Sequence, residues 1–133
     1  MARKTTKNSI DILLKYLPLL ESPNFNIGKW DFTEKDSIMS FFYTYSDIVN
    51  DFIYDLYGEG FIIPYNWPKW QKEADHYYHD PNLIKSADIK TLQKILTLHV
   101  RKERFKEGHL GTMIEAGHIQ NILKQLSRIR NKK

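Results

Sequence analysis

Arg101, Arg104, Glu107 and His109 fall within nine residues of one another, with Glu115 and His118 close behind. Arg101 and Arg104 are three apart, so they share a face at the end of a predicted helix, where cations oppose the negative end of the helix dipole. Glu107 comes within reach of either arginine after the turn, and Gly108 can take the left-handed conformation that ends a helix. The next segment then begins at His109 with free backbone N–H groups. Arginines, N–H donors and a histidine converging on one corner would make an anion pocket. The same residues also build a structural corner. In that reading an arginine clamps Glu107, Phe105 plugs the core, and Gly111 and Gly117 let helices cross closely. As a catalytic set the group is incomplete. No Ser/Thr–His–acid arrangement supplies a nucleophile, and no Gly-rich phosphate loop follows a strand. A junction is the preferred reading, and the chain leans away from being an enzyme.

Two Glu-x-x-His spacings, Glu73/His76 and Glu115/His118, invite a metal test, because on a helix each pair points the same way. Bundle proteins with two carboxylate-bridged metals use two such pairs plus a glutamate from each of two further helices. Here Gly117 interrupts the second pair, the first lies on a short aromatic segment, and no further glutamate pair presents itself. No metal or other cofactor is assigned. The aromatic block from Phe61 to Tyr78 contains Tyr65, Trp67, Trp70 and Tyr77. Exposed, it would stack bases, sugars or a proline-rich peptide. Trp67 and Trp70, three apart, match the spacing of one packed helix face, which makes a clasp onto the core the preferred reading.

These residues need helices to hold them. Ser9 reads as an N-cap, followed by Ile10, Leu13, Leu14, Leu17 and Leu20 at helical spacing, with Pro18 ending or bending the helix near Tyr16 or Leu17. Residues 38–45 read either as a strand paired with 26–32 across a Thr33–Asp36 turn, or as the first turns of a long helix. Ser46 caps a helix with the stripe Ile48, Val49, Phe52, Ile53 and Leu56, stopped by Gly58 and Gly60. Asp47, Asp51 and Asp55 recur every four residues on another face, a wet surface or an invitation to a cation. Pro68 suits the start of a helix reaching about Tyr78, and Asp80-Pro81 starts a short turn. Asp88 heads a strong helix from about 88 to 104 with Ile89, Leu92, Ile95, Leu96 and Val100 facing inward. Ile119, Ile122, Leu123 and Leu126 mark the last helix.

The expected architecture is mainly α: one compact domain of five to six helices, with a small β-hairpin near residues 26–45. A flexible basic N-terminus over 1–8 precedes a helical domain over 9–128, and a basic tail over 129–133 follows. A chain of 133 residues can bury a core of this kind without staples. It has no cysteine, which excludes disulfides, thiolate catalysis and cysteine-based zinc sites. The opening apolar run is broken by Lys15 and Pro18 and reads as a first helix, not a signal peptide. No run approaches the roughly 18 apolar residues of a membrane span. A cytoplasmic protein with no membrane partner is expected. The net charge of +4 hides a division: residues 8–88 carry a net of −7 and residues 89–133 a net of +8. A basic final third on an acidic body can steer an acidic partner, nucleic acid or protein. A solvated helical surface with a Lys/Arg tail is the plainer reading. Homo-oligomerisation through Trp67 and Trp70 is a third.

Phe61 to Trp70 (FIIPYNWPKW), Leu96 to Leu110 (LTLHVRKERFKEGHL) and Glu115 to Leu126 (EAGHIQNILKQL) resemble a family of small bacterial and archaeal proteins catalogued as a domain of unknown function. The likeness spans roughly residues 25 to 128, and its most specific part is Val-Arg-x-x-Arg-Phe-x-Glu-Gly-His-Leu. Asn66 stands where an acid is expected before Trp67. The resemblance implies a free-standing domain and no particular reaction. It marks Trp67, Trp70, Arg101, Arg104, Glu107 and His109 as what makes this chain look like its relatives, and these six are taken as the binding-site candidates. The functional expectation is a small non-enzymatic module meeting an acidic partner. The alternative is an enzyme with a small polar, metal-assisted pocket around Arg101, Arg104, Glu107 and His109.

Overall fold

A computed structural model describes residues 7–132. The chain folds as a mainly helical domain with one two-stranded antiparallel hairpin. The helices are α1 (Lys7–Leu14), α2 (Leu17–Leu20), α3 (Asp47–Gly58), α4 (Gln71–His79), α5 (Pro81–Ile84), α6 (Ile89–Lys102), α7 (His109–Glu115) and α8 (His118–Asn131). The strands are β1 (Gly28–Lys35) and β2 (Ile38–Tyr45), and a 3-10 turn over Trp67–Trp70 leads into α4. Eight α-helical segments exceed the five or six expected because prolines set off single turns. Pro18 sits at the start of α2 and Pro81 at the start of α5, where a missing N–H costs nothing.

Helix α8 is the hub and packs against α1, α2, α5, α6 and α7. Leu123 and Leu126 from α8 meet Leu92, Ile95 and Leu96 from α6, Leu13 from α1, and Phe52 and Leu56 from α3, all fully buried. The predicted stripes of α3 and α6 are the faces that enter this core. Asp88 caps α6 as expected, its carboxylate accepting from Thr91 N–H at 2.8 Å. Ser46 occupies the N-cap position of α3, but its hydroxyl makes no capping bond. Ser9 is not a cap. Lys7 and Asn8 already lie in α1, which places Ser9 inside the helix and fully buried. The rest of the expected flexible N-terminus, residues 1–6, lies outside the described residues, as does Lys133 of the tail. Residues 129–131 continue α8.

Polar groups on α6 anchor the preceding loop. Thr97 Oγ1 donates to Phe61 C=O and accepts from Ile63 N–H, and Gln93 Nε2 donates to Gly60 C=O. The aromatic block acts as the expected clasp: Trp70 stacks on Tyr77 at 6.1 Å between centroids, and Lys94 Nζ lies 4.4 Å from the Trp70 centroid.

The hairpin register pairs Gly28 with Tyr45 and Lys35 with Ile38. Its turn is Asp36-Ser37, with φ of 53° and 65°, the paired left-handed geometry that suits a two-residue hairpin loop. The expected Thr33–Asp36 turn therefore gives way to one further along, with Thr33 to Lys35 inside β1. Beyond its base, the hairpin buries neither face.

Candidate functional site at the α6–α7 corner

The inward stripe of α6 runs past Leu92 and Leu96 to His99 and then Glu103, so the helix carries two titratable groups toward the core as it ends. Glu103 organises the corner. Its carboxylate accepts from Gly108 N–H at 2.6 Å, Leu110 N–H at 2.9 Å and the Tyr45 hydroxyl at 2.6 Å. Three donors on one carboxylate fix the turn, the first residues of α7 and the base of β2 together. Burial, and then the bond to Glu103, push the Tyr45 phenol above its usual pKa, so it stays a donor. The same hydroxyl accepts from Gly111 N–H at 3.0 Å.

Two glycines permit this approach. Gly108 has φ 83°, the left-handed region, and a β-carbon there would sit 3.2 Å from the Trp30 ring. A β-carbon on Gly111 would meet Tyr45, Ile27 and the Tyr43 hydroxyl at 3.2–3.3 Å. Gly111 thus admits the base of the hairpin, not a second helix. Gly117, with φ 82° and nothing within 4 Å of a β-carbon, turns the chain between α7 and α8 and brings no helix close.

Behind the corner lies a row of three buried imidazoles. His99 Nδ1 is 2.9 Å from His109 Nε2, and His99 Nε2 is 3.1 Å from His118 Nε2. Each ring is at most 6% exposed. Burial is the main cause that lowers the pKa of all three. His109 is pushed down to about 4 by burial, then by the charges of Lys102 and Lys106, with Glu103 opposing. His118 is pushed down to about 4 by burial and then by His109. His99 lies well below the usual value from burial, its two histidine neighbours and Lys102. The rings are therefore neutral near pH 7. Their nitrogens point at one another, a hydrogen-bonded line and not a convergent ligand set. Among the described residues no cluster of three or more His, Cys, Asp or Glu has a metal-holding arrangement.

The predicted site residues separate. His109 lines a cavity of about 280 Å³ between α4, α6 and α7, together with His99, Lys102, Lys106 and Asp75. Glu107 is not clamped by an arginine; its carboxylate accepts from Tyr43 N–H at 2.7 Å, tying the hairpin to the corner. The guanidinium groups of Arg101 and Arg104 make no ion pair or hydrogen bond among the described residues; Arg101 is partly exposed and Arg104 exposed. Phe105 does not plug the core. It is 79% exposed and its ring lies 5.9 Å from that of Trp67. Trp67 and Trp70 belong to the 3-10 turn that packs against α6. Glu115 and His118 are divided by the Gly117 turn, with Glu115 exposed and His118 buried.

Sequence reasoning missed Glu103, His99 and Tyr45. The signal was present: His99 lies seven residues after Leu92 and Glu103 seven after Leu96, so both continue the apolar stripe. A polar residue on a core stripe needs a buried partner. Tyr45, across the fold, had no such marker.

No helix among the described residues is long and apolar enough to cross a membrane. No curated protein and no solved structure matches the chain. Its helical fold, and the corner that joins α6, α7 and the hairpin, are those of a domain covered almost end to end by one family model, matching residues 5–132: the chain belongs to DUF6508, a family of unknown function.

Proposed function

We propose that the chain is a non-enzymatic binding module that meets an acidic partner, nucleic acid first, on the outer face of the α6–α7 corner. The observation that carries this reading is the contrast between used and unused cations. In α8, Arg130 pairs with Asp11 at 2.9 Å and Lys124 with Glu21 at 3.0 Å, so part of the acidic/basic division is internal to the fold. At the corner, Arg101 and Arg104 have no carboxylate partner among the described residues, and the exposed Phe105, next to Arg104 in the chain, has its ring 5.9 Å from that of Trp67. Guanidinium groups beside an aromatic ring are what phosphates and unstacked bases recognise.

Fluorescence anisotropy against labelled DNA and RNA oligonucleotides tests this at about 50 and about 200 mM salt, where several phosphate contacts cost orders of magnitude in affinity. Micromolar binding at the lower salt with that slope supports the reading, and no binding there overturns it. The control is the open groove of about 630 Å³ lined by Lys85, Lys90, Arg128 and Lys132. If Lys90→Ala with Arg128→Ala abolishes binding while Arg101→Ala with Arg104→Ala does not, the footprint lies at that end of α8 instead.

The second reading is an enzyme. The observation favouring it is His109, held neutral by burial and set in the wall of a polar cavity, where it has the properties of a general base. Its pocket would comprise Lys102, Lys106 and Asp75 instead of Arg101, Arg104 and Glu107.

A further inference from the structure

The cavity between α4, α6 and α7 is separate from the outer arginines, and its lining has a definite chemical bias. Lys102 and Lys106 reach it from the end of α6 and the following turn, and neither has an ion-pair partner among the described residues. Asp75 on α4 is the one carboxylate in its lining. His109 contributes its ring: Nε2 is taken by His99, and Nδ1 makes no hydrogen bond among the described residues. The cavity of about 280 Å³ has room for a small polyatomic ion with its remaining water.

Hydrogen counting shows what the row of histidines adds. Each of the two nitrogen–nitrogen contacts holds one hydrogen, and the outer Nδ1 atoms of His109 and His118 hold one each, so the intact row accommodates four. Three neutral imidazoles carry three. The neutral row therefore has two arrangements. In one, His109 Nδ1 is a donor and the hydrogens run from His118 through His99 to His109. In the other, all three shift and His109 Nδ1 presents a lone pair. One added proton fits without breaking either contact, with His109 Nδ1 and His118 Nδ1 both protonated and the charge shared along the row. A second would set two N–H groups against each other and break a contact.

We propose that this cavity binds a small oxyanion, such as a phosphate or carboxylate group, held by Lys102, Lys106 and His109 Nδ1–H, and that the histidine row takes up one proton as the anion enters. The proton comes from solvent; one N–H bond forms and no other covalent bond changes. Burial, with Lys102 and Lys106 nearby, opposes that charge in the empty cavity, and an anion against the same lysines reverses the balance. The other titratable groups around the row are Tyr78 and His79 on α4, Glu103 beyond the end of α6, and Asp75 across the cavity. None of them hydrogen-bonds to a histidine of the row.

The probe is inorganic phosphate, titrated calorimetrically into the full chain at about pH 6 in two buffers of different ionisation enthalpy. Saturable one-site binding is expected, with net uptake above zero and not exceeding one proton per chain. Lys106→Ala, at an exposed position, should weaken it about tenfold, the effect of one charge-assisted hydrogen bond, without changing the melting temperature. His109→Phe removes the imidazole assigned to the anion and should both weaken phosphate binding and reduce the proton uptake. Should that variant fail to fold, the pH dependence of sulfate affinity in the wild type gives the same information, because sulfate does not itself titrate there and linked uptake requires its affinity to rise as pH falls. No saturation at millimolar phosphate, binding without proton uptake, or binding unchanged in Lys106→Ala would each overturn the proposal. Arg101→Ala with Arg104→Ala should leave phosphate binding intact, so failure here and failure of the nucleic-acid reading are separable.

Discussion

The α6–α7 corner and the β1–β2 hairpin touch at Trp30, Tyr43 and Tyr45, yet they are stabilised in opposite ways. At the corner, polar groups are buried and paired: Glu103 takes three donors, Glu107 a fourth, and three histidines bond in a row. Along the hairpin, the backbone ladder is complete, but the side chains beyond the base have nothing behind them. Phe32 is 55% exposed, Phe41 65% and Ile38 67%. Trp30, Phe32, Met39 and Phe41 lie on one face, and Phe32 and Phe41 meet across the strands with centroids 6.2 Å apart. The corner is therefore a cooperative unit in which one lost group strands several others, whereas the hairpin tip is a local structure in which each loss stays local.

The largest effect that would sharpen this contrast is at Glu103. Replacing it with alanine removes the acceptor for Gly108 N–H, Leu110 N–H and the Tyr45 hydroxyl at once, which should cost about 3 kcal/mol or more in urea denaturation. Glu103→Gln keeps one carbonyl acceptor and should cost less. A loss under about 1 kcal/mol for the alanine variant would mean that water replaces the carboxylate and the corner is not cooperative.

Next comes pH. His109 and His118 have pKa values near 4 in the fold, against about 6.5 unfolded. Well above pH 6.5 both states hold these rings neutral and they contribute no pH dependence. As pH falls from 6.5 toward 4, the unfolded chain gains protons that the folded chain refuses, so stability should decline across that window. Denaturation midpoints at several pH values check this, and His118→Phe should flatten the slope. A wild-type midpoint that is level across this range would show that the row accepts protons freely.

Gly108→Ala should cost about 1–2 kcal/mol for a side chain in left-handed backbone, with crowding against Trp30 added. A thermal melt unchanged from wild type would show that the hairpin base yields. The smallest effect belongs to the tip: Phe41→Ser should cost less than about 1 kcal/mol, the loss of one cross-strand pair. A global destabilisation there would show that the exposed face does contribute to the core.

The helices were legible because their apolar residues recur at helical spacing, the start of α5 because Asp80-Pro81 announces a turn, and the cap at Asp88 because a short carboxylate before a helix has few other uses. The hairpin was half legible. Aromatics and Thr at 38–45 favoured a strand, but Asp36-Ser37 lacks the glycine that usually announces a tight hairpin turn. At the corner, Gly108 was read correctly as left-handed, while Glu103 was passed over in favour of Glu107. Both glutamates lie close to the turn, and only the three-dimensional path of the chain decides which one turns inward. The histidine row joins residues from three helices through two turns, so no local spacing encodes it. Partner choice by Arg101 and Arg104 was equally hidden, since nothing local told Arg130 and Lys124, which find carboxylates on α1 and just beyond α2, from the two arginines that find none.

The central claim is that the outer arginines of the corner bind while its buried groups fold. The most direct test measures oligonucleotide anisotropy and thermal stability side by side for wild type and for Arg101→Ala with Arg104→Ala. The double variant should keep the wild-type melting temperature, bind more weakly, and show a salt slope reduced by about two, one for each phosphate contact removed. Unfolding of the double variant, or binding with the full wild-type slope, would contradict it.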